Sequence, residues 1–112
     1  MFSCSGSDTY RGDWKATDMS GEHYQINFEA KKFSITDPLG EKTEFGYTQN
    51  SVNISNSVET YGIKVDDGRS YEINFPIAND ESRGTMADGN GYIIYTICRD
   101  KYIEYDELFS LL

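Results

Sequence analysis

Hydrophobic and polar residues alternate in several short segments of this chain. In His23–Glu29 the side chains of Tyr24, Ile26 and Phe28 share one face, and polar side chains occupy the other. Successive side chains of a strand point to opposite faces, so this period of two predicts a strand with one buried face. The same interpretation applies to Trp14–Thr17, Lys32–Thr36, Glu44–Tyr47, Ser51–Ser55, Tyr61–Val65, Ser70–Ile77 and Tyr102–Tyr105, and Gly91–Arg99 is predicted to be a strand with two apolar faces.

Turn residues separate these segments. Asp37–Gly40 carries Pro38 at its second position and a glycine at its exit, which favours a tight turn. Asp66–Gly68 favours a hairpin. Asn79–Asn90 shows no alternation and is predicted to be a long irregular connection, and such connections in small domains are often functional. The candidates for a recognition loop are therefore Asp80, Glu81, Arg83, Met86 and Asp88.

Both faces of Gly91–Arg99 are apolar, which predicts that both are covered. One face carries Ile93, Tyr95 and Ile97, and the other carries Tyr92, Ile94 and Cys98. One set is predicted to fill the core, and the other needs a cover from a second subunit or from the C-terminus. The last residues are predicted to form a short helix capped by Asp106 or a continuation of the last strand. The covering side chains would be Leu108, Phe109, Leu111 and Leu112.

About eight or nine short strands with almost no helix predict an all-β fold, an up-and-down antiparallel β-barrel, with a β-sandwich as the alternative. Residues 1–9 are predicted to be a flexible N-terminal tether, and residues 10–112 a single barrel domain. The inward positions carry large side chains, so the interior is predicted to be filled and binding to occur at the barrel mouth or outside. This inward set is Trp14, Tyr24, Ile26, Phe28, Phe33, Ile35, Phe45, Tyr47, Ile54, Ile63, Tyr71, Ile73 and Phe75.

The charge balance limits the classes of partner. The chain has 19 acidic and 10 basic residues and a formal net charge of −9. This balance argues against a nucleic-acid partner, because phosphates would be repelled. It is compatible with a basic protein partner or with solubility alone. The sequence contains no segment that is long and apolar enough to span a bilayer as a helix.

Gly12, Asp13 and Trp14 open the first predicted strand. This Gly-x-Trp triplet, together with the strand rhythm that follows it, resembles the first strand of lipocalin-like and avidin-like barrels. The resemblance implies a small barrel in which Trp14 plugs one end, and it implies no particular ligand. The second motif of such barrels, with its arginine, has no match in the sequence.

The N-terminal residues Phe2-Ser3-Cys4, followed by a tail of Ser, Gly and Asp, resemble the end of a bacterial lipoprotein signal. The resemblance implies a lipid on Cys4, a place in the cell envelope facing the periplasm or cell surface, and membrane contact only through this anchor. If Met1 is the native start, the tail is an ordinary N-terminus and the protein is cytoplasmic. Cys98 lies in an apolar run and is predicted to be buried and not disulfide-bonded to Cys4.

No catalytic constellation stands out in the sequence. His23 is the only histidine and is predicted to face outward. Two cysteines and one histidine without close spacing do not make a zinc site, and the acidic residues lack the spacing of a calcium loop. We therefore expect a non-enzymatic protein without a metal or cofactor.

The aromatic residues are the remaining signal. A tyrosine buries a large ring but needs a partner for its hydroxyl, so inward tyrosines form either a core or a ligand platform at an open barrel mouth. We predict a small lipocalin-like binding module for an unknown small ligand. The alternative is a protein-interaction or inhibitor/immunity module whose acidic surface binds a basic protein. The candidate ligand-binding residues are Trp14, Tyr24, Tyr61, Tyr71 and Tyr92.

Overall fold

A computed structural model of the protein describes residues 9–110, with side chains up to Leu108. Within these residues the fold is all-β, a closed eight-stranded antiparallel up-and-down barrel followed by one short helix. The predicted barrel is confirmed, and the sandwich alternative is not what forms. The elements are β1 (Gly12–Asp18), β2 (His23–Phe28), β3 (Lys32–Thr36), β4 (Lys42–Ser55), β5 (Val58–Val65), β6 (Ser70–Phe75), β7 (Arg83–Asp88), β8 (Ile93–Cys98) and α1 (Tyr105–Ser110).

Each strand pairs with its neighbour in sequence, and β1 closes the barrel by pairing with β8. In this closing pair Lys15 lies opposite Cys98, and Ala16 lies opposite Ile97. The alternation in the sequence fixes the register, because a shift by one residue would turn the apolar side chains of a strand outward. The resulting core cluster is Tyr10, Trp14, Ala16, Ile26, Phe28, Phe33, Tyr47, Tyr61, Ile63, Val65, Ile73, Phe75, Met86 and Ile97.

Three connections at one end of the barrel share a turn design. They begin at Asp18, Asp37 and Asp88, and Oδ1 of each aspartate accepts hydrogen bonds from the backbone N–H groups two and four residues further on. The glycine three residues after each aspartate has a φ between 88° and 91°, which side chains rarely adopt. The turn predicted after β3 is thus confirmed, and the same Asp-x-x-Gly pattern shapes the turns after β1 and β7.

Strand β4 is longer than the alternation predicts. Glu44–Tyr47 and Ser51–Ser55 belong to one strand, with a register shift between Gln49 and Ser51. Only the first part of β4 pairs with β3, so its second part keeps β5 as its one neighbouring strand. Ile54 is 61% exposed on this second part. The prediction that Ile54 faces the core is therefore wrong, because β4 has there extended past the end of its β3 neighbour.

The predicted irregular loop Asn79–Asn90 is also only partly a loop, because its second half is β7. Gly84 lies so close to β6 that a Cβ atom there would be 2.2 Å from the carbonyl oxygen of Asn74. Met86 is 1% exposed in the core, where its flexible side chain fills space between larger rings. The sequence does not predict this strand, because few residues in Arg-Gly-Thr-Met-Ala-Asp favour strands.

The C-terminal segment covers the outside of β8. The helix alternative is the one that forms, and Leu108 packs fully buried with Cys98 and Ile103. Cys98 is a free, buried thiol, as predicted. The helix begins at Tyr105, so Asp106 lies in its first turn and is not the cap. The backbone N–H of Glu104 instead donates to the Glu107 carboxylate at 2.9 Å, half of a capping box.

The other covering residues lie partly outside the described structure. Leu111 and Leu112 fall beyond residue 110, and the Phe109 side chain is not described. Residues 1–8 of the predicted tether, with Phe2 and Cys4, also fall outside the described residues, whereas its last residue, Thr9, is described and is bound by Arg99.

Candidate functional site

One end of the barrel, the closed end, is sealed by Arg99 and Trp14. The guanidinium carbon of Arg99 lies 3.7 Å from the centroid of the Trp14 ring, a cation–π contact. The same guanidinium donates hydrogen bonds to the backbone carbonyl oxygens of Thr9 at 3.1 Å, Arg11 at 2.7 Å and Asp13 at 2.9 Å. Arg99 thereby ties the segment before β1 to the end of β8.

Glycine is needed beside this contact. Gly12 has a φ of 96°, and a Cβ atom there would be 3.1 Å from Nη1 of Arg99. The Gly-x-Trp triplet therefore leaves room for the arginine that covers its tryptophan. No motif in the sequence marks this arginine, because Arg99 is brought to Trp14 only when β8 closes on β1. The eight-stranded barrel is consistent with a lipocalin-like barrel.

Tyrosine rings fill the space below the seal. Tyr10 contacts Phe28 edge-on with ring centroids 5.3 Å apart, and its hydroxyl donates to Gln49 Oε1 at 2.7 Å. The Tyr47 hydroxyl donates to the carbonyl oxygen of Glu29 at 2.5 Å. Burial is the main cause that raises the pKa of Tyr10 and Tyr47 above the ordinary value. These hydroxyls already have partners, so this end is core rather than ligand platform.

The opposite end of the barrel, the mouth, holds a pocket of about 250 Å³. It lies where the turns after β3 and β5 and the start of β8 meet. Apolar side chains from β3, β4 and β7 form its floor, and polar side chains form its rim. We call it the mouth pocket, and its lining is Phe33, Ile35, Asp37, Glu41, Thr43, Phe45, Arg69, Tyr71, Met86, Ile94 and Tyr95.

Arg69 is held in one position at the rim. Its Nε and Nη2 atoms donate to Oδ2 of Asp67 at 2.9 and 2.7 Å, and its Nη1 donates to the Tyr71 hydroxyl at 2.9 Å. The guanidinium carbon lies 5.1 Å from the centroid of the Phe45 ring. Hydrogen bonds from Arg69 are the main cause that lowers the pKa of Asp67. The positive charge of Arg69 is therefore already offset by a carboxylate.

Two tyrosines meet at the mouth, on the strands that flank β1. The rings of Tyr24 and Tyr95 meet edge-on with centroids 5.1 Å apart. The Tyr24 hydroxyl donates to Oδ2 of Asp18 at 3.1 Å, and burial followed by this hydrogen bond raises its pKa. Burial also raises the pKa of Tyr95, to about 12, so its hydroxyl is neutral at physiological pH. Within residues 9–110 the Tyr95 hydroxyl has no hydrogen-bond partner.

The structure separates the predicted ligand-binding residues. Trp14 and Tyr61 are buried near the closed end, while Tyr24 and Tyr71 lie at the mouth. Tyr92 is 72% exposed, and the prediction that it faces the interior is wrong. The reason is the turn after β7, where the N–H of Tyr92 donates to Asp88 and β8 begins one residue later.

The predicted recognition-loop residues are also divided. Asp80 and Arg83 form an ion pair at 2.8 Å at the start of β7. Glu81 is exposed beside them, and Met86 is in the core. Asp88 lies at the other end of β7, in a mouth turn. No single loop surface brings these five residues together.

Several lining residues of the mouth pocket were missed as site residues. Phe33, Ile35 and Phe45 were predicted to face inward, and alternation was the signal. Ile94 and Tyr95 are adjacent, yet both line the pocket. A register shift next to Ala87 breaks the alternation of β8 at this point. Alternation alone could not have placed both side chains at one site.

Comparison with known proteins gives no family for this chain. No protein-family model matches it, and no curated protein matches it in sequence.

In the described part of the chain no group of three or more His, Cys, Asp or Glu side chains is placed to hold a metal ion. No helix in that part has the length and apolar character needed to cross a membrane.

Proposed function

We propose that this protein is a non-enzymatic binding module that takes a small ligand in the mouth pocket. The observation that carries the proposal is a cavity of about 250 Å³ with an apolar floor and a polar rim, at the unsealed end of the barrel. Small-molecule sites commonly combine an apolar lining with a few converging polar groups. Barrel mouths are among the places where such sites occur.

The size of the pocket limits the ligand. Pockets for drug-sized molecules range from about 300 to 1,000 Å³, and this one is about 250 Å³. A water molecule takes about 30 Å³ in the liquid, so the pocket has the volume of roughly eight waters. A ligand of about that many non-hydrogen atoms would fit, whereas a long lipid chain would extend into solvent.

The proposal is tested by filling the pocket from its rim. Thr43 is an exposed residue of β4 that lines the pocket, so Thr43→Trp should place an indole in the cavity without displacing the core. Thr48→Trp, at an exposed β4 position outside the pocket lining, is the matched control. Binding of fragments with one aromatic ring would be followed by backbone amide NMR shifts.

We expect fragments to shift the amides around Phe45, Tyr71 and Tyr95 in the wild type and in Thr48→Trp, and to lose this effect in Thr43→Trp. Shifts spread over the surface, or equal shifts in both tryptophan variants, would contradict a site at the mouth. An absence of any binding at millimolar fragment would contradict the binding function.

The proposed location is the cell envelope, with a lipid on Cys4. The support is the resemblance of Phe2-Ser3-Cys4 to the end of a lipoprotein signal. Labelling of cells that express the protein from its native gene with a fatty-acid analogue tests it, with Cys4→Ser as the matched variant. Label in the wild type and not in Cys4→Ser is expected, and unlabelled wild-type protein would favour the cytoplasmic alternative.

The protein-interaction alternative is supported by a different surface. The β4–β5 hairpin exposes Val52 and Ile54, at 52% and 61%, on a protein of net charge −9. Exposed apolar side chains on an acidic protein suit a basic protein partner. A screen for basic partners with the Val52→Ser, Ile54→Ser double variant as control tests it, and a partner that binds both proteins equally would exclude the hairpin.

A further inference from the structure

The charges around the mouth pocket are unbalanced. Asp37 and Glu41 line the pocket, and Arg69 is the only basic residue in its lining. The guanidinium of Arg69 already donates three hydrogen bonds to the Asp67 carboxylate. Two further aspartates, Asp18 and Asp88, begin mouth turns and add negative charge to this end of the barrel. The potential at the mouth is therefore negative, despite the arginine.

The two acidic lining residues, Asp37 and Glu41, have carboxylate oxygens that accept no hydrogen bond from the described residues. Asp37 uses Oδ1 to accept the backbone N–H groups of Leu39 and Glu41, at 3.0 and 2.8 Å. Its Oδ2 makes no hydrogen bond within residues 9–110, and the same holds for the side chain of Glu41. An anionic ligand would face both carboxylates, whereas a cation would find acceptors that the fold does not use.

Tyr95 adds a third acceptor to the same pocket. Its hydroxyl is neutral, because burial raises its pKa to about 12. The hydroxyl is unpaired in the described part of the chain, so it is able to accept a hydrogen bond from a ligand N–H group. Below it, Phe33, Phe45 and Met86 offer an apolar floor for a ring.

We propose that the mouth pocket selects a small amphipathic organic cation, of the class of aryl-alkyl primary amines. The ring lies on the floor of Phe33 and Phe45, and the ammonium group points to the carboxylates of Asp37 and Glu41. This inference rests on the proposed binding function and adds the chemical class of the ligand. The carboxylates and the cavity together carry it, since neither alone distinguishes a cation from a neutral fragment.

Three probes with the same ring separate charge from shape. They are 2-phenylethylamine, 2-phenylethanol and phenylacetate, each titrated into the full chain by calorimetry or NMR. We expect the amine to bind at least about fivefold more tightly than the alcohol, and phenylacetate to bind most weakly, because a carboxylate at close range attracts the ammonium only. The preference for the amine should shrink as salt rises from about 20 mM to about 500 mM, since salt screens charges.

Glu41→Gln removes one rim charge without removing a hydrogen bond of the fold. It should weaken the amine about threefold and leave the alcohol unchanged, as expected for one partly exposed charge. Glu72→Gln is the matched control, because it makes the same change of charge at an exposed position of β6 outside the pocket lining. It should change neither affinity.

The outcomes distinguish the two proposals. If the alcohol or phenylacetate binds as tightly as the amine, or if both glutamine variants weaken the amine equally, the cation proposal is overturned and the binding function stands. If none of the three probes binds at millimolar concentration, the binding function fails and the cation proposal fails with it.

Discussion

The two ends of the barrel use similar residue types for opposite purposes. At the closed end the aromatic rings are buried and the Tyr10 and Tyr47 hydroxyls are paired. At the mouth the rings are half-buried, and the Tyr95 hydroxyl has no partner among the described residues. The difference comes from what lies beyond the strands. A chain segment held by Arg99 covers the closed end, whereas the described residues that line the mouth pocket lie on strands and in short turns.

A barrel of this size thus contains both a packed core and a candidate binding site. Eight strands leave an interior just wide enough for side chains to fill. Tyr10, supplied from outside the sheet, adds one further ring to the closed half. Among the described residues the mouth half receives no such additional ring, and it keeps a cavity.

The largest effect is expected at the closed end, from Trp14→Ala. The ring is 1% exposed and lies under Arg99. Its removal should lower the free energy of unfolding by about 3–5 kcal/mol, as for other large-to-small changes in cores. The mouth counterpart Tyr71→Ala should lower it by about half as much or less. Urea unfolding followed by circular dichroism measures both, and equal losses would contradict the comparison.

The two arginines give the next largest difference. Arg99→Met removes three hydrogen bonds to backbone carbonyls and a cation–π contact, and should lower the free energy of unfolding by about 2–3 kcal/mol. Arg69→Met, at the mouth, breaks an ion pair whose side chains are half exposed, so little change in stability is expected. Denaturation midpoints of the two variants check this. A larger loss in Arg69→Met would show that the mouth, not the closed end, is the more stable region.

The smallest expected effect depends on pH. Hydrogen bonds from Ser82, followed by the interaction with Arg83, lower the pKa of Asp80 to about 2. The lowered pKa means that the ionised carboxylate stabilises the fold above about pH 4, and that this contribution is lost as pH falls through about 2. Its size is about 1–2 kcal/mol, allowing for partial exposure of the pair.

Asp80→Asn measures this contribution directly. The difference in unfolding free energy between the wild type and Asp80→Asn should be constant at neutral pH and shrink between about pH 4 and pH 2. A difference that does not vary with pH would show that the Asp80 carboxylate is not stabilised by its charge. The corresponding pair at the mouth, Asp67 and Arg69, is half exposed, so solvent screens the interaction of its charges. It serves as the reference with which the Asp80–Arg83 pair is compared.

Alternation was sufficient to predict the barrel and most of its inward side chains. Phe28, Phe33 and Ile73 lie in the core as their period of two indicates. It failed where local geometry changes the period. The register shift after Gln49 and the loss of β3 as a neighbour place Ile54 in solvent. Strand β7 was not predicted because it contains Gly84, which disfavours a strand. The position of β7 depends on the close approach of Gly84 to β6 rather than on strand propensity.

The site was harder to predict than the fold, since its residues come from separate strands. Tyr71 was proposed from its inward position, and it does line the mouth pocket. Arg69 and Glu41 stand in or beside turns, and nothing in their local sequence shows that they share a rim. Their proximity follows from barrel closure, which joins β1 to β8 and so fixes every strand relative to the others.

The closing pair of strands also has a consequence for the rate of unfolding. Every other pair joins neighbours in sequence, whereas β1 and β8 come from opposite ends of the described chain. Bringing distant segments together costs more loop entropy than forming hairpins, so we expect this pairing to form after the folding barrier. Arg99, whose hydrogen bonds link the end of β8 to β1 and the segment before it, would then slow unfolding. Its loss should accelerate unfolding far more than it slows refolding, as the two limbs of a chevron plot would report.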